Sequence, residues 1–281
     1  MTGPLVSTEW LAERLGAPGV KVVDASWYLP AANRDALAEY RAGHIPGAVF
    51  FDIDAISDRA SPLPHMLPSA GDFAAAMGAL GLSDTDTIVV YDGAGLFSAP
   101  RVRWTLRVFG ARDVFVLDGG LPQWRAEGRP LESGDAAPEA ATFHAALDAE
   151  AVAGIGTVAA ALGADGVQVV DARPGDRFRG EAPEPRPGLR SGHMPGARNV
   201  PASAVIADGR LKDGAALAAL FADAGVDPTR PVIASCGSGV TAAVVALALE
   251  TIGAPQPKIY DGSWAEWGGR PETAVVTGPA D

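Results

Sequence analysis

Two stretches of this 281-residue chain nearly repeat each other: VKVVDASW at 20–27 and VQVVDARP at 167–174. A second pair, AGHIPGAVF at 42–50 and SGHMPGARN at 191–199, follows at a similar offset. Self-similarity at a nearly fixed spacing is the sequence signature of a repeated structural unit. We therefore predict that one domain is present twice in the chain.

Short Val/Ile-rich runs alternate with amphipathic stretches in the first copy. The predicted strands lie near 20–24, 48–51, 87–91 and 114–117, and STEWLAERL, SAGDFAAAMGAL and SAPRVRWTLRVFG are predicted helices. Strands that alternate with helices form a mainly parallel sheet covered on both faces. The predicted fold class is α/β, with two tandem domains that each contain a small, mainly parallel sheet between helices.

A segment rich in Gly, Pro, Ala and Glu separates the two copies. It reads EGRPLESGDAAPEAATF at 127–143 and contains few long apolar side chains, a composition typical of a linker. We place the first domain at 1–130, the linker at 131–149 and the second domain at 150–281.

The charge and the composition exclude several classes of partner. A formal net charge of −12 disfavours nucleic acid and anionic membranes, because both need a basic surface. The start of the chain, MTGPLVSTEWLAERLG, has no basic segment followed by an apolar stretch, and no apolar run is long enough to span a bilayer. We expect a cytoplasmic protein.

The single cysteine, Cys236, lies in PVIASCGSGVTAAVVALALE at 231–250, between a predicted strand and a predicted helix. In parallel sheets, ligands bind at this edge, beyond the carboxyl ends of the strands. The small residues Gly237, Ser238 and Gly239 would let the loop curl and point its N–H groups at the sulfur, which favours the nucleophilic thiolate. The alternative is an inert buried cysteine beside a tight turn.

The first copy provides an internal comparison, because YDGAGLF places Asp92 at the position of Cys236. We expect an acid at a loop built to hold an anion to be repelled. The first copy would then have lost the nucleophile, and only the second domain would be catalytic.

The GHIPGA and GHMPGA turns, a DGG…W ending and CGSGVTA together resemble the tandem-domain rhodanese family of sulfurtransferases over nearly the whole chain. This resemblance implies that Cys236 accepts a sulfane sulfur as a persulfide. It further implies that a thiol, such as thioredoxin or a small thiol, or cyanide then takes the sulfur, without a metal or an organic cofactor. The turn residues His44 and His193 have structural roles in the family.

The loop sequence distinguishes two donor classes within the family. Members that use thiosulfate resemble CRKGVT, with cations after the cysteine, whereas members that use 3-mercaptopyruvate resemble CGSGVT. Residues 236–241 match the second form at every position, which implies that Gly237, Gly239, Val240 and Thr241 contact the donor.

Two alternative functions stay open, and a third is disfavoured. A thiosulfate:cyanide sulfurtransferase is the closest alternative, and a non-enzymatic persulfide carrier or redox sensor is another. A phosphatase on this fold needs an arginine six positions after the cysteine, where this chain has Ala242.

The remaining predicted site residues follow from the same resemblance. The segment DARPGDRFRGEAPEPRPGLR contains five arginines and four acids, and arginine suits a planar carboxylate. A GRFxG....R pattern in the family implies that Arg177 and Arg186 bind the donor. The resemblance also implies a relay of Asp54, His65 and Ser238, or a hydrogen-bond network that only positions Ser238.

Overall fold

A computed structural model describes residues 3–162, 164 and 166–280. The chain divides into two compact units. The first contains residues up to Arg59, Leu67–Asp148 and Asp208–Leu211, and the second contains Ala60–Met66, Ala149–Ala207 and the residues from Lys212 onward. Most of the segment predicted as a linker therefore groups with the first unit, and His65 groups with the second.

The first unit is a five-stranded parallel sheet with helices between its strands. Its elements are β1 (Leu5–Val6), α1 (Thr8–Ala12), β2 (Val20–Asp24), α2 (Ala36–Ala42), β3 (Ala48–Phe50), α3 (Ala70–Ala79), β4 (Thr87–Tyr91), α4 (Ala99–Val108), β5 (Asp113–Leu117) and α5 (Gly120–Ala126). The strand order is β1-β5-β4-β2-β3, and each neighbouring pair is parallel. The four predicted strands and three predicted helices are confirmed, whereas β1, α2 and α5 were not predicted.

The second unit repeats this topology. Its part of the chain contains β6 (Val152–Ala153), α6 (Ile155–Leu162), β7 (Gln168–Asp171), α7 (Gly175–Phe178), β8 (Arg198–Asn199), β9 (Ile206–Ala207), β10 (Arg210–Leu211, grouped with the first unit), α8 (Gly214–Asp223), β11 (Val232–Ser235), α9 (Ala242–Thr251), β12 (Lys258–Tyr260) and α10 (Ser263–Trp267). The sheet order β6-β12-β11-β7-β8 matches that of the first unit, and again each pair is parallel. The equivalent strand orders confirm the duplication.

Helix α9 follows the cysteine loop and is buried on all sides. Every residue from Ala242 to Leu249 is buried, which explains why this run is apolar throughout and has no polar face. Such a helix stays in place because moving it would expose its whole apolar surface to water. Among the described residues, no helix is long and apolar enough to cross a membrane.

The two GH-PGA turns have the same internal packing. The ring of His44 stacks on Tyr40 at 4.1 Å between centroids, and its Nδ1 lies 2.8 Å from the carbonyl oxygen of Tyr40. The ring of His193 stacks on Phe178 at 3.7 Å, with Nδ1 2.9 Å from the Phe178 carbonyl oxygen. Both histidines are buried in their own unit, so each acts as a structural link between its turn and the preceding helix.

Candidate active site

Cys236 lies immediately after β11, at the carboxyl edge of the second sheet, and only 1% of its surface is exposed. The preceding residue, Ser235, pairs with Asp171 on the neighbouring strand β7. The thiol is therefore at the edge where parallel sheets bind ligands, and the surrounding protein shields it from bulk water.

Helix α10 fixes the orientation of the cysteine loop. The amide of Trp264 donates to the carbonyl oxygen of Cys236, and the amide of Ala265 donates to that of Gly237, both at 2.9 Å. Because N–H and C=O point in opposite directions across a trans peptide, the N–H groups of Gly237 and Ser238 point away from α10. Within the described part of the chain, neither group donates to a protein acceptor. Both are thus left to interact with an anion in the loop.

Ser263 is a site residue that the sequence analysis missed. Its hydroxyl accepts a hydrogen bond from the Cys236 amide at 3.2 Å and donates to the Tyr260 carbonyl oxygen at 2.7 Å. Ser263 has a φ of 48°, which is uncommon outside glycine, and the equivalent residue of the first copy is Gly120. The change from DGG to DGS between the two copies was the signal that could have identified it.

The rest of the loop leads into α9. Gly239 has a φ of 79°, a conformation that glycine adopts without steric cost and that lets the chain turn into the helix. Val240 is buried, and Thr241 is the N-cap residue of α9, although its side chain makes no capping hydrogen bond.

The expectation for Asp92 in the first copy is wrong in its physical reason. The Asp92 side chain is not repelled, because it is itself the anion that the loop holds. One carboxylate oxygen accepts hydrogen bonds from the three consecutive amides of residues 97–99 at 2.7 to 2.9 Å, and the other accepts from Ala94 at 2.9 Å. Two of these amides belong to residues 98 and 99, where α4 begins, so the carboxylate also interacts favourably with the helix N-terminus.

Arg177 and Arg186 converge on the cysteine loop. A Cβ atom built on Gly237 would lie 3.4 Å from Nη2 of Arg177 and 3.9 Å from Nη1 of Arg186. The absence of a side chain at Gly237 therefore leaves space directly in front of two guanidinium groups. A small carboxylate in that space could accept hydrogen bonds from both arginines while the rest of the molecule reaches the thiol.

A buried carboxylate, Glu184, links Arg177 to a second arginine. One oxygen of Glu184 lies 3.2 Å from Nε of Arg177 and 2.8 Å from Nη1 of Arg173, and the other accepts from Nη2 of Arg177. Only 1% of the Glu184 side chain is exposed. Glu184 is one of the four acids of the arginine-rich segment, and no motif in the sequence gave it a role.

Arg173 is held on all sides. Its Nε and Nη2 donate to the Asp171 carboxylate at 2.7 to 3.1 Å, Nη2 also donates to the Gly192 carbonyl oxygen, and the guanidinium lies 4.0 Å over the ring of Trp264. Burial disfavours its charge, but Asp171 and Glu184 outweigh this effect and raise the pKa of Arg173 above its ordinary value. Arg173 is therefore a structural cation within the site.

Two of the predicted relay residues, His65 and Ser238, lie together in the second unit. Nδ1 of His65 lies 3.0 Å from Oγ of Ser238, and both side chains are buried. His65 has a φ of 60°, and strained residues of this kind cluster at functional sites. Asp54 groups with the first unit, where its carboxylate accepts a hydrogen bond from Nε1 of Trp27 at 3.0 Å.

The described residues contain no group of three or more His, Cys, Asp or Glu side chains that could hold a metal ion. The chemistry that the site offers directly is that of a thiol, a hydroxyl–imidazole pair and two arginines.

The chain is similar to known proteins in both sequence and fold. The model of the rhodanese-like domain matches residues 7–127 and 155–270. The 3-mercaptopyruvate sulfurtransferase of Escherichia coli K12 is 48% identical over 96% of each chain, and the thiosulfate sulfurtransferase of Cricetulus griseus is 45% identical over 98% of this chain and 95% of its own. The crystal structure of SseA from Escherichia coli, a 3-mercaptopyruvate sulfotransferase, is similar with a TM-score of 0.87 at 46% identity, covering 94% of this chain and 99% of the other.

The carboxylate of Asp92 should stabilise the first unit. Asp92→Ala leaves four amides without their acceptor, and we expect it to lower the free energy of unfolding by roughly 2–4 kcal/mol. Asp92→Asn keeps an acceptor oxygen and should cost less. Urea unfolding measures both effects, and an Asp92→Ala variant as stable as the parent protein would contradict this account of the loop.

Proposed function

The chain belongs to the tandem-domain rhodanese family of sulfurtransferases, and we propose that it transfers the sulfur of 3-mercaptopyruvate to a thiol or cyanide through a Cys236 persulfide. The observation that carries the choice of donor is the position of Gly237, whose missing side chain faces both Arg177 and Arg186. A loop with cations at this place would fill the same space.

The donor binds first through its carboxylate. Arg177 and Arg186 bind the carboxylate and the neighbouring carbonyl oxygen through paired N–H donors. This anchoring holds the donor sulfur beside Cys236 and turns an encounter between two molecules into a reaction within one complex. Gly237, Gly239, Val240 and Thr241 line the loop around the donor.

The sulfur then passes to the enzyme. The Cys236 thiolate attacks the donor sulfur, a new S–S bond forms, and the C–S bond of the donor breaks. The electron pair of that bond passes to carbon as the enolate of pyruvate, which takes up a proton and leaves. The donor thiol hydrogen at first stays on the outer sulfur. When the persulfide releases this proton, the amides of Gly237 and Ser238 stabilise its negative charge.

An acceptor thiolate completes the cycle. It attacks the outer sulfur, the S–S bond to Cys236 breaks, and its electron pair regenerates the Cys236 thiolate. Thioredoxin, a small thiol or cyanide has the nucleophilicity that this step needs. The two half-reactions predict ping-pong kinetics.

We assign Ser238, His65 and Asp54 to proton transfer during the first half-reaction. The 3.0 Å contact between Ser238 and His65 supports a path on which the hydroxyl exchanges a proton with the donor and the imidazole exchanges one with the hydroxyl. Asp54 would orient the imidazole, in the way that a carboxylate does in serine–histidine–aspartate triads.

Two alternatives fit the site less well. A redox sensor has no use for two arginines beside the loop. A thiosulfate donor lacks the carboxylate and carbonyl that the two arginines suit.

The first test is kinetic and separates the two donors. For the parent protein, we expect kcat/KM for 3-mercaptopyruvate to exceed that for thiosulfate. Cys236→Ser should keep the melting temperature and lose sulfur transfer, because its hydroxyl cannot form a persulfide. Mass spectrometry should find one extra sulfur atom on the parent protein after donor addition. A Cys236→Ser variant that retains activity would refute the mechanism, and a preference for thiosulfate would establish the alternative donor.

A methyl group at Gly237 should hinder donor binding. Gly237→Ala places its Cβ 3.4 Å from Nη2 of Arg177, in the space assigned to the carboxylate, so we expect KM for 3-mercaptopyruvate to rise by about tenfold, the effect of about 1.4 kcal/mol. Gly154→Ala is the matched control, because a Cβ there has no heavy atom within 4 Å. An unchanged KM in Gly237→Ala would show that the carboxylate binds elsewhere.

Removing the Ser238 hydroxyl distinguishes proton transfer from positioning. For a relay, we expect Ser238→Ala to lower kcat for 3-mercaptopyruvate by about 10²–10⁴-fold and to flatten its pH dependence. Ser238→Thr keeps a hydroxyl and should recover part of the rate. If Ser238→Ala raises KM but leaves kcat and the pH profile unchanged, the contact with His65 only positions the loop.

A further inference from the structure

Pairing with arginines does not by itself explain why the carboxylate of Glu184 is buried beside the cysteine loop. Its carboxylate is buried within the donor site and contacts Arg177, one of the two arginines that face Gly237. A site that binds anions would be expected to exclude a negative charge, because like charges in a shielded pocket repel strongly. The presence of Glu184 therefore calls for a function.

The hydrogen bonds of Glu184 determine which charges the donor meets. Asp171 already supplies an anionic partner for Arg173, whose guanidinium donates three hydrogen bonds to it. Glu184 occupies Nε and one N–H of Nη2 on Arg177, and it thereby both orients this guanidinium and cancels most of its positive field. The remaining N–H groups of Arg177 can still donate, while the net positive charge of the site falls by one.

We propose that Glu184 sets the preference of the site for a monoanionic donor over a dianionic one. This inference rests on the proposed function and deepens it. 3-Mercaptopyruvate carries a single carboxylate charge, whereas thiosulfate carries two negative charges. A second negative charge in a buried site must be matched by a cation, and Glu184 removes the cation that would match it.

Glu184 is thus a specificity-determining and positioning residue, and Glu184→Gln tests it directly. The variant keeps the size and an acceptor oxygen but restores one positive charge to the site. We expect kcat/KM for thiosulfate to rise in absolute terms and the ratio of 3-mercaptopyruvate to thiosulfate to fall by about tenfold or more, as for one added charge a few ångströms away. Damage to the fold would lower both values, so a rise for thiosulfate cannot come from it.

Glu181→Gln is the matched control. Glu181 lies three residues earlier in the same segment and forms a salt bridge with Arg179, and both side chains of this pair are substantially exposed. The control removes the same charge from the protein without entering the site. We expect it to leave the donor ratio unchanged, and a shift as large as that of Glu184→Gln would mean that overall charge, and not Glu184, sets the preference.

Glu184→Asp separates charge from geometry and serves also if Glu184→Gln does not fold. The shorter side chain keeps the negative charge but cannot reach both arginines equally well. We expect KM for both donors to rise while the donor ratio stays near that of the parent protein. A fall in the ratio as large as that expected for Glu184→Gln would overturn the proposal.

Inhibition of the parent protein provides an independent readout. Pyruvate is a monoanion and oxalate a dianion of similar size, and we expect pyruvate to be the stronger competitive inhibitor. A tighter inhibition by oxalate would overturn the inference. A parent protein that does not use 3-mercaptopyruvate at all would instead refute the proposed function, so the two failures are distinguishable.

Discussion

The strand–loop–helix turn at the carboxyl edge of each sheet has backbone amides that can hold a negative charge, and the two units differ in the side chain that stands there. Converging amides and the start of a helix create a positive field that water cannot satisfy once the loop is buried. In the first unit, the Asp92 carboxylate occupies the loop permanently through four amide hydrogen bonds. In the second, Cys236 stands in that place, and its loop has amides left for a thiolate or a persulfide.

The residues next to the loop also differ between the two units. In the first unit, Tyr91 precedes Asp92 and lies beside Asp24 on the neighbouring strand, and burial raises the pKa of Asp24. In the second unit the equivalent of Tyr91 is Ser235, and the Asp24 equivalent, Asp171, pairs with Arg173, which stands at the position of Ser26. This exchange introduces a buried cation, and a buried cation requires anions around it. Asp171 is the first of these anions, and Glu184, which contacts both arginines, extends the network from Arg173 to Arg177.

Hydrogen bonds to the cysteine loop make the site rigid as well as charged. The carbonyl oxygens of Cys236 and Gly237 are fixed by α10, the Cys236 amide is fixed by Ser263, and Trp264 also supports Arg173 through its ring. One short helix therefore orients both the loop and the buried cation. Catalytic groups that are held in place before the donor arrives need no reorganisation during the reaction.

The sequence by itself determined the duplication, the α/β class, four of the five strands of the first copy and the placement of Cys236 at a strand end, because period, composition and local turn chemistry depend on consecutive residues. Through the family resemblance, the sequence also predicted that an arginine-rich segment binds the donor. Only the tertiary structure decided that Asp92 fills its own loop, that Ser263 supports the Cys236 amide, and that Glu184 lies between Arg173 and Arg177. These facts depend on which partner a polar side chain finds once water is excluded, and that choice is made by packing between distant parts of the chain and not by sequence spacing.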